Sequence, residues 1–315
     1  MKKIIFISGL IVIVVIISSF IFIPDTLVVS KVIYVESSDR IVYDYLLTNK
    51  NKTKWWPENL DQDLKSSDST SFNYQKTNFK FFDAKFNSNQ VIISKGDNVF
   101  SGTISSFFES KNSLKIVWRV SLKNNLNPIK RILNFYKATI IKKEITTLLE
   151  QFGNFVIKTE NVYGLKIERT IVKDTLLLTT NKTLDHYPTI NETYALVNNL
   201  EVFAKSNSAE ITNSPMFNVV KTFEGTYNLT IALPVNKPIK EKYGYFVNKM
   251  FPGNILKVEI MGGKNRIENG FLQLKNYMND FKLTSPAMPF EMIITNRNLE
   301  RDTNKWVTEL YYPIF

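Results

Sequence analysis

Pro289-Phe290-Glu291-Met292-Ile293-Ile294 and Trp306-Val307-Thr308-Glu309-Leu310-Tyr311-Tyr312-Pro313-Ile314 lie between Met288 and Phe315 as two strand-length runs rich in aromatic and β-branched residues. The segment between them, Asn296 to Lys305, is too hydrophilic for burial, so the two runs read as an antiparallel pair. Side chains two apart on a strand share a face. Glu291 therefore projects with Ile293 and away from Phe290, Met292 and Ile294, while Glu309 projects with Val307 and Tyr311. A carboxylate among such neighbours needs solvent, a counter-charge or a ligand. That makes Glu291 and Glu309 candidate functional residues, with a solvated sheet face or a salt bridge to a nearby Lys as the plainer explanation of the pattern alone.

The same pattern occurs earlier. Pro215-Met216-Phe217-Asn218-Val219-Val220 matches Pro289 to Ile294, and Tyr227 to Val235 matches Trp306 to Ile314, with aromatic and β-branched positions in register. Each copy follows an amphipathic helix. The first starts at Thr189, which can form a capping box with Glu192, and carries Ile190, Tyr194, Val197 and Leu200 at helical spacing. The second runs from about Lys264 to Phe281 with Ile267, Phe271, Leu274, Met278 and Phe281 on one stripe. A strand precedes each helix, Lys166 to Thr180 and Ile255 to Met261. A duplicated strand-helix-strand-strand unit follows, and since neither copy covers its own sheet, the two are expected to form one domain with a seam between them.

These residues resemble the GyrI-like small-molecule-binding domain, also known as the AraC effector-binding domain, over roughly Tyr163 to Phe315; the PFEMII strand and the closing KWVTELYYPIF are its most specific part. The resemblance implies two repeats packed around a cleft, with a carboxylate at the position of Glu291 facing a lipophilic cation. Some members of that family are hydrolases that pair this Glu with a Tyr. This chain departs from the family in having Gly262-Gly263-Lys264-Asn265 where a Gly-Pro-Tyr turn is common, and Ile293 two residues after the Glu where a Tyr is common. The comparison therefore favours binding over catalysis. It points to Glu291; with Glu309, Trp306, Tyr227, Phe217 and Tyr311 this makes up the candidate set of ligand-binding residues.

Composition bounds the rest. The 315 residues, 44% hydrophobic and 22% charged, suit about two globular domains. Without Cys there is no disulfide framework, zinc-thiolate site or thiol nucleophile, and the single His186 excludes multi-His metal centres, so no cofactor is expected. The net charge of +11 is scattered among polar residues and accompanies no nucleic-acid module, so no nucleic-acid partner is expected. Ile4 to Ile23 is an uncharged, almost wholly apolar run behind Lys2-Lys3. About 20 such residues in a helix span the roughly 30 Å of a bilayer core. A cleaved signal peptide is the competing reading, but the run is longer than an ordinary apolar signal region and no small-x-small cleavage pattern follows it. A retained transmembrane anchor over residues 1–25 is expected, with the lysines cytoplasmic and the folded domains on the other side.

Between residues 26 and 162 the order is a strand (Leu27 to Tyr34), a helix entered at Ser37-Ser38 and a Lys54-Trp55-Trp56-Pro57 segment. Strand-like stretches follow at Ser71–Asn78, Phe79–Phe86, Gln90–Ser94, Val99–Glu109 and Ser113–Leu122. Last comes a long helix, about Asn127 to Phe155, with Ile132, Leu133, Tyr136, Ile140, Ile145, Leu148, Leu149 and Phe152 as its apolar stripe. The order of elements and the KWWP segment resemble the SRPBCC or START-like helix-grip fold of polyketide-cyclase-like proteins, which implies a curved sheet around the long helix and an apolar cavity. Trp56 and Trp118 are candidates for its lining, or plain core.

The sequence thus reads as α+β: an N-terminal transmembrane helix, a helix-grip domain over 26–162 and a duplicated βαββ domain over 163–315. The expected function is non-catalytic binding of a hydrophobic, cationic small molecule in the C-terminal domain of a membrane-anchored protein. One alternative is a hydrolase of a lipophilic molecule with Glu291 as general base, helped by Tyr187, Tyr227 or Tyr311. Another is a membrane-tethered interaction protein with vestigial pockets. His186 beside Asp185 reads as a polar loop residue, and Asp61 and Asp63 are too few for a metal site.

Overall fold

Thr77, Phe79 and Phe81 are buried while Asn78 and Lys80 between them are not, the alternation of a sheet with one covered face. The computed structural model describes residues 2–57, 70–110 and 112–315, with side chains for all of these except residues 2–6, 8, 9 and 12. It divides into two compact units, Met1–Lys158 and Thr159–Phe315. Asp61 and Asp63 fall outside the described residues.

The first unit begins with helix α1 (Lys2–Phe22), followed by strand β1 (Thr26–Glu36) and helix α2 (Asp39–Val42), which Ser38 caps and which continues as a wider turn through Leu47. Then come β2 (Ser71–Tyr74), β3 (Thr77–Phe81), β4 (Ser88–Lys95), β5 (Asn98–Ser110), β6 (Ser113–Lys123) and the long helix α3 (Pro128–Val156), capped by Asn127. The strands form one antiparallel sheet in the order β1-β6-β5-β4-β3-β2. Its core joins Phe79, Phe81, Phe100, Ile104 and Trp118 with Ile141, Ile145, Leu148, Leu149 and Phe152 of α3, all fully buried.

Trp55 meets Phe152 edge-on at 5.1 Å, and Trp56 packs on Phe72, Phe79 and Phe81. Trp56 and Trp118 are thus core side chains. The ammonium of Lys52 is buried with them, 3.9 Å from the centre of the Phe81 ring, and burial lowers its pKa to about 7.

Two sequence expectations need correction here. The hairpin expected to turn near Asn78 turns at Gln75-Lys76, both left-handed (φ 47° and 64°), so β2 and β3 pair Tyr74 with Thr77. The apolar stripe of α3 is buried only from Ala138 onward; Ile132, Leu133 and Tyr136 are exposed, and the buried side chain in that stretch is Arg131. Charge satisfied by specific partners has taken the place that hydrophobicity alone would give to a leucine.

Among the described residues no helix is long and apolar enough to cross a membrane. The expected anchor lies partly outside the residues whose side chains are described.

The second unit contains α4 (Thr159–Tyr163), β7 (Glu168–Ile171), β8 (Leu176–Leu184), α5 (Ile190–Ser206), β9 (Met216–Lys221), β10 (Tyr227–Pro234), β11 (Phe246–Lys249), β12 (Asn254–Met261), α6 (Lys264–Asp280), β13 (Phe290–Ile293) and β14 (Val307–Ile314). The sheet order is β11-β8-β10-β9-β13-β14-β12-β7. Its six middle strands are two copies of the same arrangement, β8-β10-β9 and β13-β14-β12, joined where β9 and β13 pair Phe217 with Glu291 and Met216 with Met292. The strand expected over Lys166 to Thr180 is broken: β7 pairs with β12 at one edge of the sheet, and β8 pairs with β10 and β11 near the other. Lys173-Asp174, inside the break, is the polar pair that a continuous buried strand would have had to accommodate.

On one face of the sheet Leu178, Leu229, Ile231, Leu233 and Ile293 pack with Val197 and Leu200 of α5; on the other, Leu177, Met216, Ala232, Ile255, Phe290 and Met292 form a smaller cluster. The helix α5 starts with the expected capping box: Thr189 Oγ1 accepts from the Glu192 amide at 3.2 Å, and Glu192 Oε2 accepts from the Thr189 amide at 3.0 Å. The Thr189 amide and the Thr189 hydroxyl, which donates at 2.7 Å, both bond Glu192 Oε2 and, together with His186, hold the Glu192 carboxyl down to about 2. Thr189→Ala is expected to lower the unfolding free energy by about 1 kcal/mol, checked as a shift of the urea midpoint at unchanged slope.

Candidate functional site

Because β9 and β13 end the two copies, the helices α5 and α6 stand on either side of the seam and leave a gap above it. The gap is a cavity of about 340 Å³. Phe217 and Val219 of β9 and Glu291 and Ile293 of β13 line it from the sheet; Thr193 and Tyr194 line it from α5, and Ile267, Glu268 and Phe271 from α6. Tyr187, Lys264, Arg297 and Trp306 line it as well.

Glu291 is 8% exposed. Its Oε2 accepts from Arg297 Nη2 at 3.3 Å, and the same nitrogen donates to Thr308 Oγ1 at 2.9 Å. Tyr194 fastens the loop by accepting the Arg297 amide through its hydroxyl at 2.8 Å, and the guanidinium lies 5.0 Å from the centre of the Trp306 ring. Among the described residues, the buried Arg297 Nε has no hydrogen-bond partner. The single long contact with Arg297 does not repay the loss of water around the carboxylate. Burial therefore pushes Glu291 up to about 7, with Arg297 pulling more weakly the other way.

The Tyr187 phenol is pushed up to about 12, by burial first and then by the charge of Glu291. Lys264 Nζ sits 3.9 Å over the Tyr187 ring. A cation already occupies one aromatic face at this site.

The residues singled out from the sequence do not all meet here. Glu291, Phe217 and Trp306 line the cavity, and Tyr227 stands just outside it, edge-on to Tyr187 at 5.8 Å. Glu309 and Tyr311 lie on the other face of the sheet in a second cavity of about 400 Å³. There Tyr311 donates to Glu309 Oε2 at 2.7 Å, Lys257 Nζ pairs with Oε1 at 2.6 Å, and Tyr311 stacks on Phe290 at 5.0 Å. The separation follows from register: Glu291 pairs with Leu310 and Met292 pairs with Glu309, so the two carboxylates point to opposite faces.

Arg297, Tyr194 and Lys264 were not singled out. Arg297 belongs to the segment expected to be too hydrophilic for burial, yet its side chain is only 11% exposed. The available signal was an in-strand carboxylate lacking a counter-charge six residues away. His186, expected as a plain loop residue, bonds through Nδ1 to Asp185 at 2.5 Å and through Nε2 to Glu192 at 3.1 Å, which raises its pKa. Among the described residues no three His, Cys, Asp or Glu side chains form a group able to hold a metal ion.

No family profile matches the sequence, and no curated protein matches it. Among solved structures, the C-terminal domain of EcmrR is similar at 13% identity and a TM-score of 0.42, covering 48% of this chain and 98% of that one. SAV2435 bound to tetraphenylphosphonium is similar at 12% identity and a TM-score of 0.35, covering 48% and 94%. A hydrolase from Listeria innocua is similar at 11% identity and a TM-score of 0.37, covering 47% and 91%. Likenesses at this level leave the functional reading to the geometry of the site.

Proposed function

We propose that the second unit binds a hydrophobic organic cation in the cavity over the β9–β13 seam, without transforming it, in a protein tethered by its N-terminal apolar helix with both units outside the cytoplasm. One observation carries the reading: a buried carboxylate held by one long contact to Arg297 and poised near neutrality, in a cavity walled by Tyr187, Phe217, Phe271 and Trp306. A delocalised cation sheds its hydration cheaply, and each aromatic face adds about 0.5–2 kcal/mol once water is gone. Its charge supplies what Arg297 supplies incompletely.

The test is a titration of 10-methylacridinium from pH 5 to pH 8, with acridine, neutral at the upper end, as control. Cation affinity is expected to fall about tenfold per unit of pH below about 7 as Glu291 takes up a proton, levelling off at higher pH. A flat profile, or equal affinity for the cation and acridine at pH 8, would refute the reading.

The hydrolase alternative has the Tyr187 hydroxyl in its favour, an acid in the same cavity as a carboxylate matched to general-base work at neutral pH. It requires turnover of a lipophilic ester that disappears in Glu291→Gln and in Tyr187→Phe alike.

A further inference from the structure

The end of α1 is bolted to the first unit, and the bolts come from the start of α3. The Arg131 side chain is 3% exposed. Its Nε donates to Ser19 O and to Ile23 O, both at 3.0 Å, its Nη2 donates to Ile23 O and to Asp25 Oδ1, and its guanidinium lies 4.9 Å from the centre of the Phe20 ring. A helix end leaves carbonyls without partners, and Arg131 takes up two of them. Asn124 reinforces the joint, donating through Nδ2 to Pro24 O at 3.0 Å and through its amide to Asp25 O at 2.7 Å. Only Ile23-Pro24-Asp25 separates α1 from β1. The unit is therefore not on a flexible leash: whatever surrounds the end of α1 also meets the first turns of α3.

Those turns are apolar and bare. Leu126 is 85% exposed, and Ile129, Ile132, Leu133 and Tyr136 are 68%, 40%, 52% and 64% exposed. The last four have the spacing of a single helix face. Ile21 and Phe22, at the end of α1 that Arg131 holds, are also exposed, at 70% and 78%. From Pro128 to Lys143 the helix carries five basic side chains and no acidic one. Apolar and aromatic side chains beside basic ones match the boundary between acyl chains and anionic headgroups.

We propose that the first turns of α3 lie in the interfacial layer of the membrane that α1 enters, so that α1 and α3 form a rigid foot holding the first unit flat on an anionic lipid surface. The proposal rests on the tethering reading above. Leu133 and Tyr136 dip toward the acyl chains, while the exposed Lys143, on the same helix face, reaches headgroup phosphates.

The natural absence of cysteine allows single spin labels in the full chain. Ile13→Cys, Leu133→Cys and Phe86→Cys, the last exposed at the opposite end of the sheet, would be labelled in vesicles of phosphatidylcholine and phosphatidylglycerol. The reading is the ratio of collision with oxygen to collision with a water-soluble nickel chelate. The ratio is expected to be highest at residue 13, several-fold above that of residue 86 at residue 133, and lower at residue 133 when phosphatidylglycerol is left out. A deep label at 13 with a water-like label at 133 would overturn the foot and leave the tether standing. A water-like label at 13 would overturn both. A label at 133 shielded from both reagents and broadened by a second spin would assign the face to another copy of the chain and overturn the lipid proposal.

Discussion

Glu291→Gln is expected to weaken 10-methylacridinium binding by roughly 30-fold or more at pH 8 while leaving acridine unaffected. Removing one member of a desolvated charge pair typically costs about 2–5 kcal/mol, and each 1.4 kcal/mol is about a factor of ten. The substitution keeps the size of the side chain and an oxygen for Arg297, so the cavity wall stays in place. At pH 5 wild type and variant should converge, because Glu291 is then protonated.

Stability moves the other way. The folded-state pKa of Glu291 is raised from 4.5 to about 7, so its contribution is fully present below about pH 4.5 and is lost as pH rises through about 7. The variant cannot ionise there. It should match wild type near pH 4 and exceed it by on the order of 2 kcal/mol at pH 8, as read from urea midpoints at the two pH values. A wild type that is more stable than the variant at pH 8 would mean that the Arg297 contact outweighs desolvation, and the poised carboxylate would go with it.

What could be read from the sequence of the second unit was local. The capping box at Thr189 needs only residues three apart, the stripe of α6 only one helical period, and the two βαββ copies only comparison of the chain with itself. The parity of Glu291 within its own strand was equally legible. Its relation to Glu309 was not, because that depends on whether Glu291 pairs with Leu310 or with a neighbour of Leu310, and a slip of one residue would have put both carboxylates on one face. Arg297 escaped for a similar reason: a loop reads as polar, while the burial of one guanidinium is decided by Glu291, Thr308 and Trp306, all on other segments. In the first unit, the stripe of α3 blurred at its start because hydrophobicity cannot tell a core-facing leucine from one facing something beyond the unit. The short edge strand β11 carries no alternation of its own, and its place beside β8 is set by pairing.

Gly102→Ala is expected to unfold the first unit at markedly lower denaturant while leaving the second intact. Gly102 sits in the middle of β5, opposite Val120 of β6 and Val91 of β4. A Cβ at this position would stand 2.0 Å from Arg119 O and 2.5 Å from Val120 Cα. Both are backbone atoms of the neighbouring strand, so no rotamer change relieves the clash. A glycine inside a strand marks such close approach or a sharp bend, and here it is the close approach of the β6 backbone to β5. Overpacking a core costs about 1–3 kcal/mol when side chains can give way. Parting two central strands also breaks ladder hydrogen bonds, so about 3 kcal/mol or more is expected, a large share of the roughly 5–15 kcal/mol that holds an ordinary domain together. The chain supplies its own probe, for Trp55, Trp56 and Trp118 lie in the first unit and only Trp306 in the second. Tryptophan emission should therefore lose most of its native signal at lower urea, while 10-methylacridinium still titrates the second unit. Gly225→Ala is the control: φ is +87° there and no atom lies within 4 Å of the new Cβ, so backbone strain of about 1 kcal/mol is the whole effect. If Gly102→Ala unfolds together with wild type, β5 and β6 do not approach this closely.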